Sequence, residues 1–231
     1  MMAMAVACAA GLTLAACDGD GDSGGDDTPA ADGTPREVEG GAERLQEAGR
    51  RYGDATFTVV YALRGPDGEG AGEELTLYKD GRERRRVDIT SEQEGEAASL
   101  TFIQTADAAY LCFEDPQDAA PELGVAGEGI CLRSDPESDA TLLADLFEEI
   151  ERLSETSRVV GITGRQIAGR QAECFTIEDR ATAAESTACF DEAGILLYTE
   201  DDAGEIREAT HVSTTVDDGD FELPYEVTDA E

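Results

Sequence analysis

The sequence predicts an α+β fold in one domain, an antiparallel β-sheet with helices packed against it. Two observations carry that expectation. Many short segments alternate apolar and polar side chains with a period of two and follow one another through turn chemistry, the pattern of an antiparallel meander. Two other segments, residues 37–52 and 139–153, repeat apolar residues at helical spacing.

Taken in order, residues 1–16 are apolar and uncharged, too short for a membrane-spanning helix but suited to the core of a signal peptide. No Lys or Arg precedes the apolar run, so the basic start expected of such a signal would lie upstream of Met1. Leu14-Ala15-Ala16-Cys17 resembles the lipobox of bacterial lipoproteins, which implies lipidation of Cys17 and work on the extracytoplasmic side of the cell membrane. Residues 17–36, rich in Asp and Gly, read as the lipidated Cys and a flexible tether to a domain spanning 37–231. Asp18, Asp20 and Asp22 have calcium-loop spacing, but the loop lacks its sixth-position Gly and its twelfth-position Glu, so a solvated tether is preferred.

Residues 37–52 place Val38, Ala42, Leu45, Ala48 and Gly49 on one side of an amphipathic helix. A strand follows at 56–63, in which Phe57, Val59, Tyr61 and Leu63 share a face. Pro66-Asp67-Gly68 ends it, and Leu75 and Leu77 begin a second strand that turns at Asp80-Gly81, a strong hairpin signal. Further strands are expected at 82–90, with Val87 and Ile89 on one face, and at 99–105, 107–114 and 130–133. The helix predicted at 139–153 carries Leu142, Leu143, Leu146, Phe147, Ile150 and Leu153 as one broad apolar stripe. Strands resume at 158–162, 167–178, 183–190, 195–201 and 205–216, and the tail 221–225 is extended, kept at an edge by Pro224.

The net charge of −36 argues against nucleic-acid partners, which need Lys and Arg to displace counterions. Setting aside Cys8 in the removable segment and Cys17, the four remaining cysteines, Cys112, Cys131, Cys174 and Cys189, read as disulfides of an exported chain. Three connectivities are open; sequential pairing is preferred, with Cys174 and Cys189 facing each other across a hairpin. No catalytic constellation is present: there is one His, His211, in a predicted strand, and no Cys-x-x-Cys, Gly-x-Ser-x-Gly or phosphate loop. The expectation is therefore a non-enzyme without metal or cofactor. The basic island Arg82-Glu83-Arg84-Arg85-Arg86 is expected to pair Arg82, Arg84 and Arg86 with nearby carboxylates rather than with a lipid headgroup or a partner.

Read together, TFTVVYAL, LTLYKDGRERRRVDI, LTFIQTADAAYLCF, ATLLADLFEEIERL, IAGRQAECFTI, ACFDEAGILLYTED and FELPYE occur in an order that resembles the LolA/LppX-like family of lipid and lipoprotein carriers. The resemblance implies a strongly curved antiparallel sheet, a half-barrel, with helices on its concave face and an apolar cavity between them. Candidate cavity-lining residues are Phe57, Val59, Tyr61, Leu75, Leu77, Phe102, Leu143, Leu146, Phe147 and Ile150. The function implied is binding or transfer of a lipid or other apolar ligand by a membrane-anchored lipoprotein. The alternative is a cell-envelope sensing or scaffolding module with a filled core and no ligand.

Overall fold

A computed structural model describes residues 36–66, 73–93, 96–114, 129–134 and 156–229. The expected signal peptide, Cys17, most of the tether and the helix at 139–153, with Leu143, Leu146, Phe147 and Ile150, lie outside the described residues.

One helix opens the described chain, α1 (Gly41–Asp54), and one open sheet of twelve strands follows. The first six strands are β1 (Thr56–Arg64), β2 (Glu74–Asp80), β3 (Arg84–Gln93), β4 (Glu96–Gln104), β5 (Ala109–Phe113) and β6 (Ile130–Ser134). The rest are β7 (Ser157–Ile167), β8 (Arg170–Asp179), β9 (Glu185–Asp191), β10 (Leu196–Glu200), β11 (Ile206–Ser213) and β12 (Val227–Asp229). The sheet order is β12-β6-β5-β4-β3-β2-β1-β11-β10-β9-β8-β7. Two antiparallel meanders are thus joined where β1 pairs with β11. Every pairing is antiparallel except that of β12 with β6.

The helix begins later than its apolar spacing suggests. Gly40 has φ 70°, which halts the helix there, while Val38 N–H donates to Val159 O at the β7 edge. Leu45 and Tyr52 of α1 pack into a core with Phe57, Val59 and Tyr61 of β1, Phe175 of β8 and Phe190 of β9. Tyr52 meets Phe57 at 5.7 Å between ring centroids. Phe57, Val59 and Phe175 have 0% exposure, each burial contributing about 1.5–3 kcal/mol before entropic costs. Gly194, in the β9–β10 turn, brings that turn against α1: a Cβ there would stand 2.4 Å from Arg51 Cβ, and its φ of 83° suits glycine.

Strand limits near β7 differ from expectation. The chain stays extended through Gly164, which pairs with Glu173, and turns instead at Ala168 and Gly169, with φ 47° and 76°. Two successive positive φ values make the tight hairpin whose twist suits its strands. The tail also differs: Asp218–Phe221 is a 3-10 turn, and β12, unanticipated, follows Pro224 to add a short edge strand. Both disulfides join directly paired residues, Cys112 to Cys131 across β5 and β6 and Cys174 to Cys189 across β8 and β9. Sequential pairing is therefore what the structure has, and it suits an oxidising, extracytoplasmic compartment.

Candidate ligand-binding face of the sheet

Directly paired residues of an antiparallel sheet point to the same side, so register alone assembles a face. Val59, Leu77, Val87, Phe102, Leu111 and Leu132 form one row across β1 to β6. Tyr61, Leu75, Ile89, Leu100, Phe113 and Ile130 form the next. A third row, Phe57, Lys79, Arg85, Gln104 and Ala109, begins apolar and then turns polar. The opposite side carries Tyr78, Arg86, Asp88 and Thr101 and the Cys112–Cys131 bridge.

All six described members of the predicted cavity lining thus share one face, in two burial states. Phe57, Val59 and Tyr61 are sealed in the core with α1, at 0%, 0% and 3% exposure. Leu75, Leu77 and Phe102 are half-buried, as are Ile89, Leu100, Leu111 and Phe113 beside them. These last four were missed as lining residues. Their signal was the i, i+2 spacing of Leu100 with Phe102 and Leu111 with Phe113, which needed only the hairpin registers to be joined to Leu75 and Leu77.

Elsewhere on the α1 side, a groove of about 980 Å³ runs between α1 and β7 to β9, floored by Ile162, Phe175 and Phe190 and rimmed by charge. None of the predicted lining residues borders it. Its rim is largely self-satisfied: Arg44 bridges Glu173, Arg51 bridges Glu47 at 2.9 Å, and Arg170 holds Asp191 at 2.6 Å.

Tyr61 anchors the sealed half. Its hydroxyl donates to Leu196 O at 2.7 Å, and burial, with Tyr52 and Asp191 adding to it and Arg207 opposing, pushes the phenol well above its usual range. Lys79, 5% exposed, donates from Nζ to Gly53 O at 2.6 Å and to Gly81 O, and lies over the Tyr52 ring at 5.3 Å. It binds the C-terminal end of α1, where a cation meets the negative end of the helix dipole.

In sequence, no family model and no curated protein matches the chain. In fold it is similar to several solved structures. One is MucB, at TM-score 0.47 and 14% identity, over 79% of this chain and 62% of that one. Another is the Pseudomonas aeruginosa MucA/MucB complex, at TM-score 0.46 and 15% identity, over 78% and 59%. A third is a LolA superfamily protein of Nitrosomonas europaea, at TM-score 0.33 and 13% identity, over 79% and 97%. The chain spans about 60% of the length of the MucB chains. These likenesses concern fold outline alone.

The remaining sequence candidates occupy ordinary places. His211 is an exposed residue of β11, paired with Val60. Of the basic island, Arg82 pairs with Asp54 at 2.9 Å, Arg84 with Asp80 at 2.6 Å and Asp218 at 3.0 Å, and Arg86 with Asp88 at 2.8 Å. Arg82 sits in the β2–β3 turn rather than on a strand face. Arg84 also stacks on Phe221, and Arg86 Nη1 donates to Asp220 O, so the island clamps the 3-10 turn onto the polar side. Among the described residues, no group of three or more His, Cys, Asp or Glu could hold a metal ion. No described helix is long and apolar enough to cross a membrane.

Proposed function

We propose that this protein binds, or transfers, a lipid or other apolar ligand on the β2–β5 part of the apolar face, as a non-enzymatic lipoprotein anchored through Cys17 at the extracytoplasmic side of a cell membrane. One observation carries the reading. Leu75, Leu77, Ile89, Leu100, Phe102, Leu111 and Phe113 lie around the buried Val87 on one face and stay half-buried, whereas their register partners under α1 are sealed. Contiguous apolar surface left partly open is what an apolar ligand covers, at about 25 cal/mol per Å² removed from water. The half-barrel with its helices on the concave side belongs to the same proposal. So does the anchor, which rests on Leu14 to Cys17 and the two disulfides.

Solvent extraction of the purified full chain, followed by mass spectrometry, is expected to return acyl lipids. The purified protein is expected to take up a neutral apolar probe such as 1-dodecanol, read by displacement of an uncharged fluorophore. A lipid-free preparation that takes up neither alcohol nor fluorophore overturns the reading.

A second reading is favoured by the sealed core beneath α1: an envelope sensing or scaffolding module that holds no ligand. It expects co-purification with a membrane protein and an unchanged melting temperature in the presence of lipid.

A further inference from the structure

Arg85 stands apart from the rest of the basic island. Arg82, Arg84 and Arg86 each have a carboxylate partner. Arg85 shares its row with Lys79 and Gln104, which puts it on the apolar face, two residues along β3 from Val87 and four from Ile89. Its Nε donates to Gln104 Oε1 at 2.7 Å, and among the described residues it has no carboxylate partner. A half-buried guanidinium without a counter-charge forgoes the attraction that normally offsets its desolvation. Beside it opens a cavity of about 210 Å³, bordered by Lys79, Arg82, Arg84, Arg85, Gln104 and Thr105, with Glu83 its one carboxylate; Arg82 and Arg84 are already paired with Asp54 and Asp80.

We propose that Arg85 binds the anionic headgroup, a carboxylate or phosphate, of a single-chain amphiphile whose acyl chain lies along the apolar face. The inference rests on the apolar-ligand reading and adds the class of ligand. Gln104 occupies Nε and orients the guanidinium, leaving the two terminal amino groups to form the parallel pair of bonds that suits a carboxylate or phosphate. Lys79 Nζ is already committed to Gly53 and Gly81 carbonyls, so it supplies field rather than a bond. From Arg85 the apolar face extends along β3 past Val87 to Ile89, about 14 Å at 3.4 Å per residue, so chain and headgroup are met on one side of the sheet.

The test compares dodecanoate, 1-dodecanol and inorganic phosphate as competitors for an uncharged fluorophore on the full chain, with Arg85→Gln, Arg85→Lys and, as a control of equal charge change, Arg50→Gln. Wild type is expected to prefer dodecanoate over the alcohol, and Arg85→Gln to lose about 10- to 100-fold in dodecanoate affinity while keeping its alcohol affinity. Arg85→Lys should recover part of the loss, and Arg50→Gln should bind as wild type does. Equal binding of acid and alcohol by wild type overturns the proposal, as does dodecanoate affinity unchanged in Arg85→Gln. Phosphate binding as tightly as dodecanoate would make this a free-anion site and also overturn it. Alcohol uptake without acid preference leaves the apolar-ligand reading standing; no uptake of either overturns both.

Discussion

Lys79→Met tests how α1 is held to the sheet. Lys79 is the chain's single lysine, and its ammonium bonds two backbone carbonyls, one at the end of α1 and one in the β2–β3 turn. Two charge-assisted bonds at about 1.5–3 kcal/mol each, plus up to about 1 kcal/mol from the helix dipole, give a gross contribution of about 3–7 kcal/mol. Desolvating one ammonium returns several kcal/mol of that. Methionine keeps most of the apolar stem, so packing changes little. The net expectation is a loss of about 2 kcal/mol, read as a lower urea midpoint by about 1 M or a melting temperature about 4–8 °C lower. Amine-reactive acylation of the folded wild type should also spare Lys79, which is 5% exposed, until the protein unfolds. A Lys79→Met variant as stable as wild type, or more so, would refute the reasoning, because desolvation would then have outweighed both bonds.

Tyr61→Phe removes the hydroxyl that reaches Leu196 O and should cost about 1 kcal/mol at neutral pH by urea titration. Because the folded phenol titrates above its usual value, its stabilising effect is complete below pH about 10 and lost as pH rises through the raised value; the variant's alkaline unfolding limb should be shallower. At the acid end, Asp80 is held below the ordinary carboxyl value of 3.8 chiefly by the hydrogen bond from Arg84. Asp179 is held below it chiefly by the Thr182 backbone N–H, then the Thr182 hydroxyl and the Ala181 N–H. Their contribution is present above pH about 4 and lost as pH falls through the depressed values, so Asp179→Asn should lessen the fall in melting temperature on acidification. Replacing Cys174 and Cys189 by Ser opens a loop of sequence separation 15 and should cost about 3 kcal/mol on the chain-entropy account. The Cys112 and Cys131 pair, at separation 19, should cost a similar amount, both read in urea.

Much of the sheet is legible in sequence because its hairpins are local. Asp80-Gly81 announces the β2–β3 turn, and the alternation of Phe57, Val59 and Tyr61 marks a face that the structure buries. What escapes a local reading is pairing between distant segments. Nothing in the sequence near Val59 indicates that Val212 lies beside it, and three residues of β12 are too few to show a period. The turn at Ala168 and Gly169 is hidden because Thr163-Gly164, just upstream, looks like the break. The candidate site falls between these cases. Arg82, Arg84 and Arg86 draw attention by sharing a parity, yet two of the three serve the polar side and the third the turn. Arg85 was readable from its i, i+2, i+4 relation to Val87 and Ile89, which put a cation on the greasy side.

The position of β1 has a consequence for how the chain reaches its fold. It forms early in the sequence but sits in mid-sheet, with β2 on one side and β11, nearly the last strand, on the other. An emerging chain can zip β1 to β5 by local hairpins, and the other edge of β1 then stays open, with its N–H and C=O groups unpaired, until residue 213 is available. Closing that gap brings together the most distant contacts in the sheet, so it is the step that loop entropy slows most. Truncation before Ile206 would leave two half-sheets with a sticky edge between them. A full-length chain must keep that edge from other chains for as long as its own last strands are still to come.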